Sequence, residues 1–530
     1  MQFLAATMTA TTGGEGPGTT FSVTGGVGSI QYTLEEIADA GARLARLGSE
    51  LAPMVDRLRA EWSWLCDAGD GAATYPYAAT DALRAALYAA MHAQAGTADL
   101  AAKASVAARN YARTEAGNSA RAAQQARLGA LENGFQVWAW GPLAPLKLGL
   151  DALGVRGAAG RHGWRDEAES LLNNGPAYLA GLAGPGAGIA YLLSHPGAPD
   201  PATAGAAPAV ALRKFLDASG MTVPGQLELR RVPTAEWDTT APWQPGRAVS
   251  APLGGEPATV EATPAGVLAG SRDAYGYPPG SIGVDRLDRP DGTRAWIVHL
   301  PGTESWWPLD GGNPWDVEGD MEGMTAGSKT AFAQKEVLIQ QLIKSALADA
   351  GEVSGEDVMI TGHSGGGIHA AAAAADPAFL ADVNVKMIVI AGAPDKNQHV
   401  AAGIDVLDLE NGNDIVPAAD FGPSPATGTW VTATSHRPGN GSEGLKAFGD
   451  AHDLDNYLAD ARALQTVDDP AIQGSRNAIN AFLAPAAGGV VAVSRFVYQG
   501  RDVNNPQSGR TGNKPGTEVR SGNNARQEGR

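Results

Sequence analysis

The chain has a single cysteine in 530 residues, Cys66, which excludes an intrachain disulfide framework and a thiolate metal site. Charge is scarce at 18%, and positive charge is scarcer: 39 Lys and Arg against 57 Asp and Glu leave a formal net charge of −18. That excess repels phosphate backbones and anionic lipid surfaces, so no nucleic-acid partner is expected. Neither Lys nor Arg precedes Arg43, and "MQFLAATMTATTGG" holds only a short apolar run, so the layout of a secretory signal peptide is missing. The expectation is cytoplasmic residence or export by another route. Long hydrophobic runs are missing too. Residues 174–199 carry no formal charge, but Pro176, Pro185 and the glycines make them a poor spanning helix. They are expected to pack against a neighbouring domain, with membrane-surface contact as the alternative, and no transmembrane span is expected. Asp316 and Asp320 lack nearby His or Cys and read as solvated loop charges, so neither a metal nor a cofactor is implied.

What is present is length, with 44% hydrophobic residues and 69 glycines, enough for two or three folded units. Residues 1–30 are small and polar and read as a flexible leader. Thr33-x-x-Glu36 has the form of a capping box. Behind it Ile37, Leu44, Leu51, Leu58 and Leu65 recur every seven residues, with a break or kink expected at Pro53. A second, alanine-rich run through Leu83, Leu87, Met91, Leu100 and Val106 to Tyr111 completes a helical hairpin domain over 31–133. Residues 134–222 form a partly helical connector, 223–502 a second domain, and 503–530 an Asn-, Gly- and Arg-rich disordered tail. The hairpin resembles the small Trp-x-Gly proteins exported by type VII secretion systems. Tyr111-x-x-x-Glu115 matches their signal, while the glycine two residues after Trp62 is absent. The resemblance implies secretion without a signal peptide, and a chaperone or helical protein as a partner for residues 31–133.

From 223 onward the texture changes. "GQLELRRV", "SIGVDRL" and "TRAWIVHL" read as strands, the last two joined by the turn "RPDG". An amphipathic helix from Phe332 through Leu338, Leu342 and Ala346 follows. The strand "VMIT", an alanine-rich helix, and the strands "VKMIVI", "IDVLDL" and "TWVTATS" come next. Alternating strands and helices, with strands apolar on both faces, predict an α/β domain with a mostly parallel sheet behind an all-α hairpin.

Gly362-x-Ser364-x-Gly366 lies between "VMIT" and the alanine-rich helix, the setting of a nucleophile elbow. The chain turns so sharply there that side chains two residues either side of the serine would clash, and the hydroxyl is lifted above the sheet. Asp414 in "NDIVP" follows the strand "IDVLDL", where a catalytic acid belongs. His436 and His452 are both candidate bases. His363 and His369 read as packing residues. Trp306 and Trp307, with Trp315, would line an acyl pocket, form a lid, or shield the end of the sheet.

These segments resemble the class 3 lipases over about residues 290–460. "IVHLPGTESW" is similar to that family's oxyanion segment, "TGHSGGGIHA" to its elbow, "IVIAGAPDKNQ" to a strand end, "NDIVP" to its acid loop, and His452 with Tyr457 to its terminal histidine and tyrosine. Pro301 stands in place of the usual arginine and Gly365 in place of the usual leucine. The resemblance implies an α/β-hydrolase fold and a serine esterase or lipase, with lipid or phospholipid esters as the leading substrates. It assigns Ser364 as nucleophile, His452 as base, Asp414 as the group orienting it, and His363 as the elbow histidine. Gly365 and Thr303 would form the oxyanion hole, Thr303 by its backbone N–H with or without its hydroxyl. Thioesterase, amidase or peptidase action on the same residues, and a non-catalytic secreted adaptor, are the alternatives.

Overall fold

The computed structural model describes residues 8–11, 19–26, 30–148, 164–194, 206–238, 255–420, 425–436, 445–485 and 489–503, apart from single positions within these spans. The N-terminal part is helical. Helices α1, Ile30–Asp70, and α2, Tyr77–Ala139, lie antiparallel, with Gly41 against Ala104 and Gly48 against Thr97. Small residues at the contact allow this close approach. Helix α1 runs on through Pro53 without a break, and it begins three residues before Thr33, which is therefore not its cap. The connector holds α3 Trp164–Leu182, α4 Pro185–Ser194 and α5 Ala206–Ser219. The uncharged stretch from 174 is only partly covered: Ala177 is fully buried, while Leu179, Ile189 and Leu193 stay exposed. Gly184, with a left-handed φ of 97°, separates α3 from α4. Among the described residues no helix is long and apolar enough to cross a membrane.

The rest is a mixed α/β unit built on an eleven-stranded sheet. Its strands are β1 Met8–Thr11, β2 Thr20–Gly25, β3 Gln226–Arg231, β4 Glu256–Glu261, β5 Ser281–Asp288, β6 Arg294–Leu300, β7 Asp357–His363, β8 Asn384–Ala391, β9 Asp405–Asn411, β10 Trp430–His436 and β11 Val490–Val503. The order is β1-β2-β10-β9-β8-β7-β6-β5-β11-β3, with β4 also on β11. Strands β6 to β10 are parallel, and the flanks are antiparallel. Four of these strands, β1, β2, β4 and β11, depart from the sequence reading. Part of the supposed flexible leader forms β2, because Phe21 and Val23 alternate into the core and the segment covers the open edge of β10. Strand β11 has no counterpart in that reading and joins β5 to β3. Residues 504–530 of the expected tail lie outside the described residues.

Alternation along the strands makes two cores. Ala295, Ile297, Met359, Val389, Leu407 and Leu409 face α6 Pro264–Gly276, α12 Leu454–Ala463 and α13 Pro470–Leu483. Trp296, Val298, Leu300, Val358, Ile360 and Ile388 face α8 Leu338–Ala350, α9 Gly365–Ala375 and Phe379 of the short α10 Pro377–Asp382. The amphipathic helix is shorter than expected: α8 starts at Leu338, and Phe332 belongs to a separate 3-10 segment, Ala326–Phe332. Helix coverage of both faces leaves the carboxyl ends of the parallel strands open, and the loops there carry the chemistry.

Candidate active site

Strand β7 ends at His363 and α9 starts at Gly365, so Ser364 alone makes the turn. It does so at φ 53° and ψ −121°, and Ala484 is the only other non-glycine residue with positive φ among those described. Such a backbone holds roughly 1–3 kcal/mol of strain and persists only where the surroundings enforce it. They do so here: the Ser364 N–H donates to the Ala391 carbonyl at 2.9 Å, and the Ser364 carbonyl accepts from Gly367 at 2.9 Å. A Cβ at Gly362 would collide with the Gly366 backbone, and one at Gly366 with the Pro301 carbonyl.

The serine hydroxyl donates to His452 Nε2 at 2.9 Å, and His452 Nδ1–H donates to Asp414 Oδ2 at 2.7 Å. Asp414 can only accept, which fixes this tautomer. Its carboxylate is fully buried and receives the Tyr457 hydroxyl on Oδ2 at 2.6 Å and the Val416 N–H on Oδ1 at 2.9 Å. His452 is the last residue of helix α11, Leu445–His452, and α12 begins two residues later. The other candidate base, His436, is occupied elsewhere, with its Nε2 on Ser22 Oγ at 2.7 Å across the β10–β2 pair.

His363 is more than packing. Its Nε2–H donates to the His452 carbonyl at 2.9 Å, and its Nδ1 accepts from the Tyr275 hydroxyl at 2.8 Å. Burial, reinforced by the neighbouring His452, pushes its pKa down to about 3, so it is a neutral strut for the backbone of the base. His369 is buried against the edge of Trp315, and burial likewise lowers it to about 3. Of the three tryptophans, Trp315 is in the core, whereas Trp306 and Trp307 are 69% and 80% exposed. The latter two project into solvent.

The acids at 316 and 320 also differ from the sequence reading. Asp316 caps α7, Val317–Met324, accepting from Gly319 N at 3.0 Å and from Gly311 N at 2.7 Å. Asp320 is buried and accepts the Thr303 hydroxyl at 2.6 Å. Burial raises its pKa to about 7, with the Asp316 charge adding and Thr303 opposing. Asp320 also explains Gly365, where a Cβ would run into its carboxylate and approach Thr303 N to 3.2 Å. Glu304 accepts from Gly280 N and Asn313 Nδ2, both at 2.8 Å, and burial pushes it up to about 7. Nothing in the local sequence separates these buried acids from surface ones. Tyr275 is equally invisible, because it reaches His363, at the end of β7, from the distant helix α6.

The site thus pairs a hydroxyl, an imidazole and a carboxylate in one relay, beside a helix start whose first N–H groups have no intrahelical partner. Such a set can deprotonate a nucleophilic oxygen and stabilise charge next to it. Among the described residues no group of three or more His, Cys, Asp or Glu is arranged to hold a metal. No family model matches the chain, and no curated protein or solved structure matches it significantly.

Proposed function

We propose that the chain is a serine hydrolase with an α/β-hydrolase domain of class 3 lipase type, cleaving carboxylic esters, lipid or phospholipid esters foremost, through an acyl-serine intermediate. The observation that carries this reading is the continuous relay from Ser364 Oγ through His452 to Asp414, at 2.9 and 2.7 Å. His452 takes the serine proton as the hydroxyl oxygen attacks the ester carbonyl, and the resulting imidazolium faces the Asp414 carboxylate. The same proton then passes to the departing alkoxide, and a water repeats the cycle on the acyl-enzyme. The Gly365 and Thr303 N–H groups are the donors for the oxyanion, each worth about 10²- to 10³-fold in turnover. The Thr303 hydroxyl is engaged by Asp320, so its part is to hold the loop that presents the backbone donor.

A fluorophosphonate probe, with Ser364→Ala as control, tests the reading. Labelling confined to Ser364, and hydrolysis across a panel of esters, thioesters and amides favouring oxyesters, support it. Folded protein that neither labels nor hydrolyses supports the adaptor alternative. The hairpin adds a second reading, export through a type VII-like route with a chaperone on residues 31–133. It is favoured by the exposure of Tyr111, which stands out from α2 where a partner can read it. Unchanged partition between cells and medium after deletion of residues 111–115 would remove it.

A further inference from the structure

The connector sends two arginines into the sheet unit, one behind each half of the proposed site. Arg165, in the first turn of α3, places Nε 2.9 Å from Glu410 Oε2, and its backbone N–H donates to the Gly412 carbonyl at 3.1 Å. The other oxygen of Glu410 meets Lys396 Nζ at 2.5 Å, with both side chains fully buried. Gly412 lies two residues before Asp414, and α3 also packs on the 3-10 turn Val416–Asp420 that follows it. The acid loop is therefore held by α3 on both sides of the carboxylate. Burial works against the Glu410 charge, and Arg165 with Lys396 outweighs it, keeping the carboxyl below its usual range.

Arg213 of α5 does the same on the other side. It is 2% exposed, donates to Thr325 Oγ1 at 2.7 Å and to Gln334 Oε1 at 2.9 Å, approaches Glu322 at 3.4 Å, and lies 4.1 Å over the Phe332 ring. Helix α5 packs on α7, and Glu322 sits two residues beyond Asp320, the acid that holds Thr303. Helix α3 is itself seated on α2 where Gly134 and Gly181 meet; a Cβ on either would strike the facing backbone.

We propose that α3 and α5 form a clamp on the active site, with Arg165 the positioning residue for the Asp414 loop and Arg213 the positioning residue for the segment that supports Thr303. Residues 134–222 are then part of the catalytic machinery's frame and not a spacer. The catalytic consequence rests on the hydrolase reading; the structural one does not.

The test uses the full chain with Arg165→Met, Arg165→Lys and Arg213→Met. Hydrogen exchange is followed over residues 410–420 and 317–334, and kcat and KM are taken per fluorophosphonate-titrated site. Arg165→Met is expected to speed exchange in 410–420 by about tenfold or more while leaving 317–334 unchanged, and Arg213→Met to do the reverse. Each should lower kcat about tenfold to a hundredfold, the scale of a small misplacement of a reacting group, with KM little changed. Arg165→Lys should recover part of the loss, because a cation is kept and the fork is not. Folded Arg165→Met with unchanged exchange in 410–420, or with unchanged kcat per titrated site, overturns the clamp. If that variant does not fold, the same comparison on Arg165→Lys decides. Wild-type protein that fails to label at Ser364 would defeat the hydrolase reading alone, and the exchange data would still judge the clamp.

Discussion

Replacing Asp320 by Asn should stabilise the protein at pH 8 and do so much less at pH 5. The ordinary pKa of this carboxyl is 3.8, and burial raises it to about 7 in the folded chain. The folded state therefore holds the proton more tightly than the unfolded one. The contribution of this group is most favourable below the unfolded pKa, falls as pH rises, and levels off above about 7. From pH 5 to pH 7 the wild-type protein loses about 1.4 kcal/mol per unit from this one group, or roughly 3 kcal/mol in all. The Asp320→Asn protein has no such loss, and its amide oxygen can still accept the Thr303 hydroxyl. Glu304 and Asp408, which burial raises to about 7 and about 8, titrate in both proteins and cancel in the difference. Urea unfolding of both proteins at the two pH values measures it. The stability difference should move toward the variant by roughly 3 kcal/mol between pH 5 and pH 8. An equal difference at both values, or movement the other way, would refute the assignment of Asp320 as a buried carboxyl that is charged only under alkaline conditions.

Ser364→Gly should abolish esterase activity yet unfold about 1–3 kcal/mol later than Ser364→Ala, because glycine accepts φ 53° without strain; calorimetry of the two variants decides. Tyr457→Phe removes one of three donors to the buried Asp414, and hydrogen bonds to charged groups are worth about 1.5–3 kcal/mol. Stability should fall by that order and kcat by about tenfold with KM unchanged. His436→Ala should leave kcat/KM intact and lose only about 1 kcal/mol through the Ser22 contact, whereas His452→Ala should lose most turnover. Steady-state kinetics that reversed these two would reassign the base.

The parts of the fold legible in the sequence are those whose signal is local. The turn Arg289 to Gly292 joins β5 to β6 because Pro and Gly fix its backbone, and the elbow glycines announce a turn that only glycine can flank. In β11 only Val491 and Val493 alternate on one face; Ser494 and Arg495 follow, and Phe496 turns to the opposite core, so the period-2 signal is too short to announce the strand. Strand β2 is six residues in a glycine-rich stretch, and only the edge of β10 gives it a reason to extend. The late start of α8 is likewise set from outside, since the Leu338 N–H is taken by the Glu322 carboxylate and Phe332 is held under Arg213.

The same distinction governs the site. Ser364 and Asp414 sit at strand ends, and a strand end is something a sequence displays. His452 and His436 could not be separated that way, because each sits at the boundary of a plausible element; what separates them is Ser22, more than four hundred residues from His436, which engages that histidine while His452 meets the serine. Asp320 reads as a surface charge for a related reason: burial is a property of the packed chain, and a chain with few charges can still bury several together. Here Asp320, Glu304, Glu410 and Arg165 all lie in or behind the loops that present Ser364, Thr303 and Asp414. A buried polar or charged group that loses its partner is left with an uncompensated desolvation cost, so each of these loops has few alternative positions. The geometry of the proposed relay is thus set less by the three residues that compose it than by the buried ionisable groups that fix where their loops can lie.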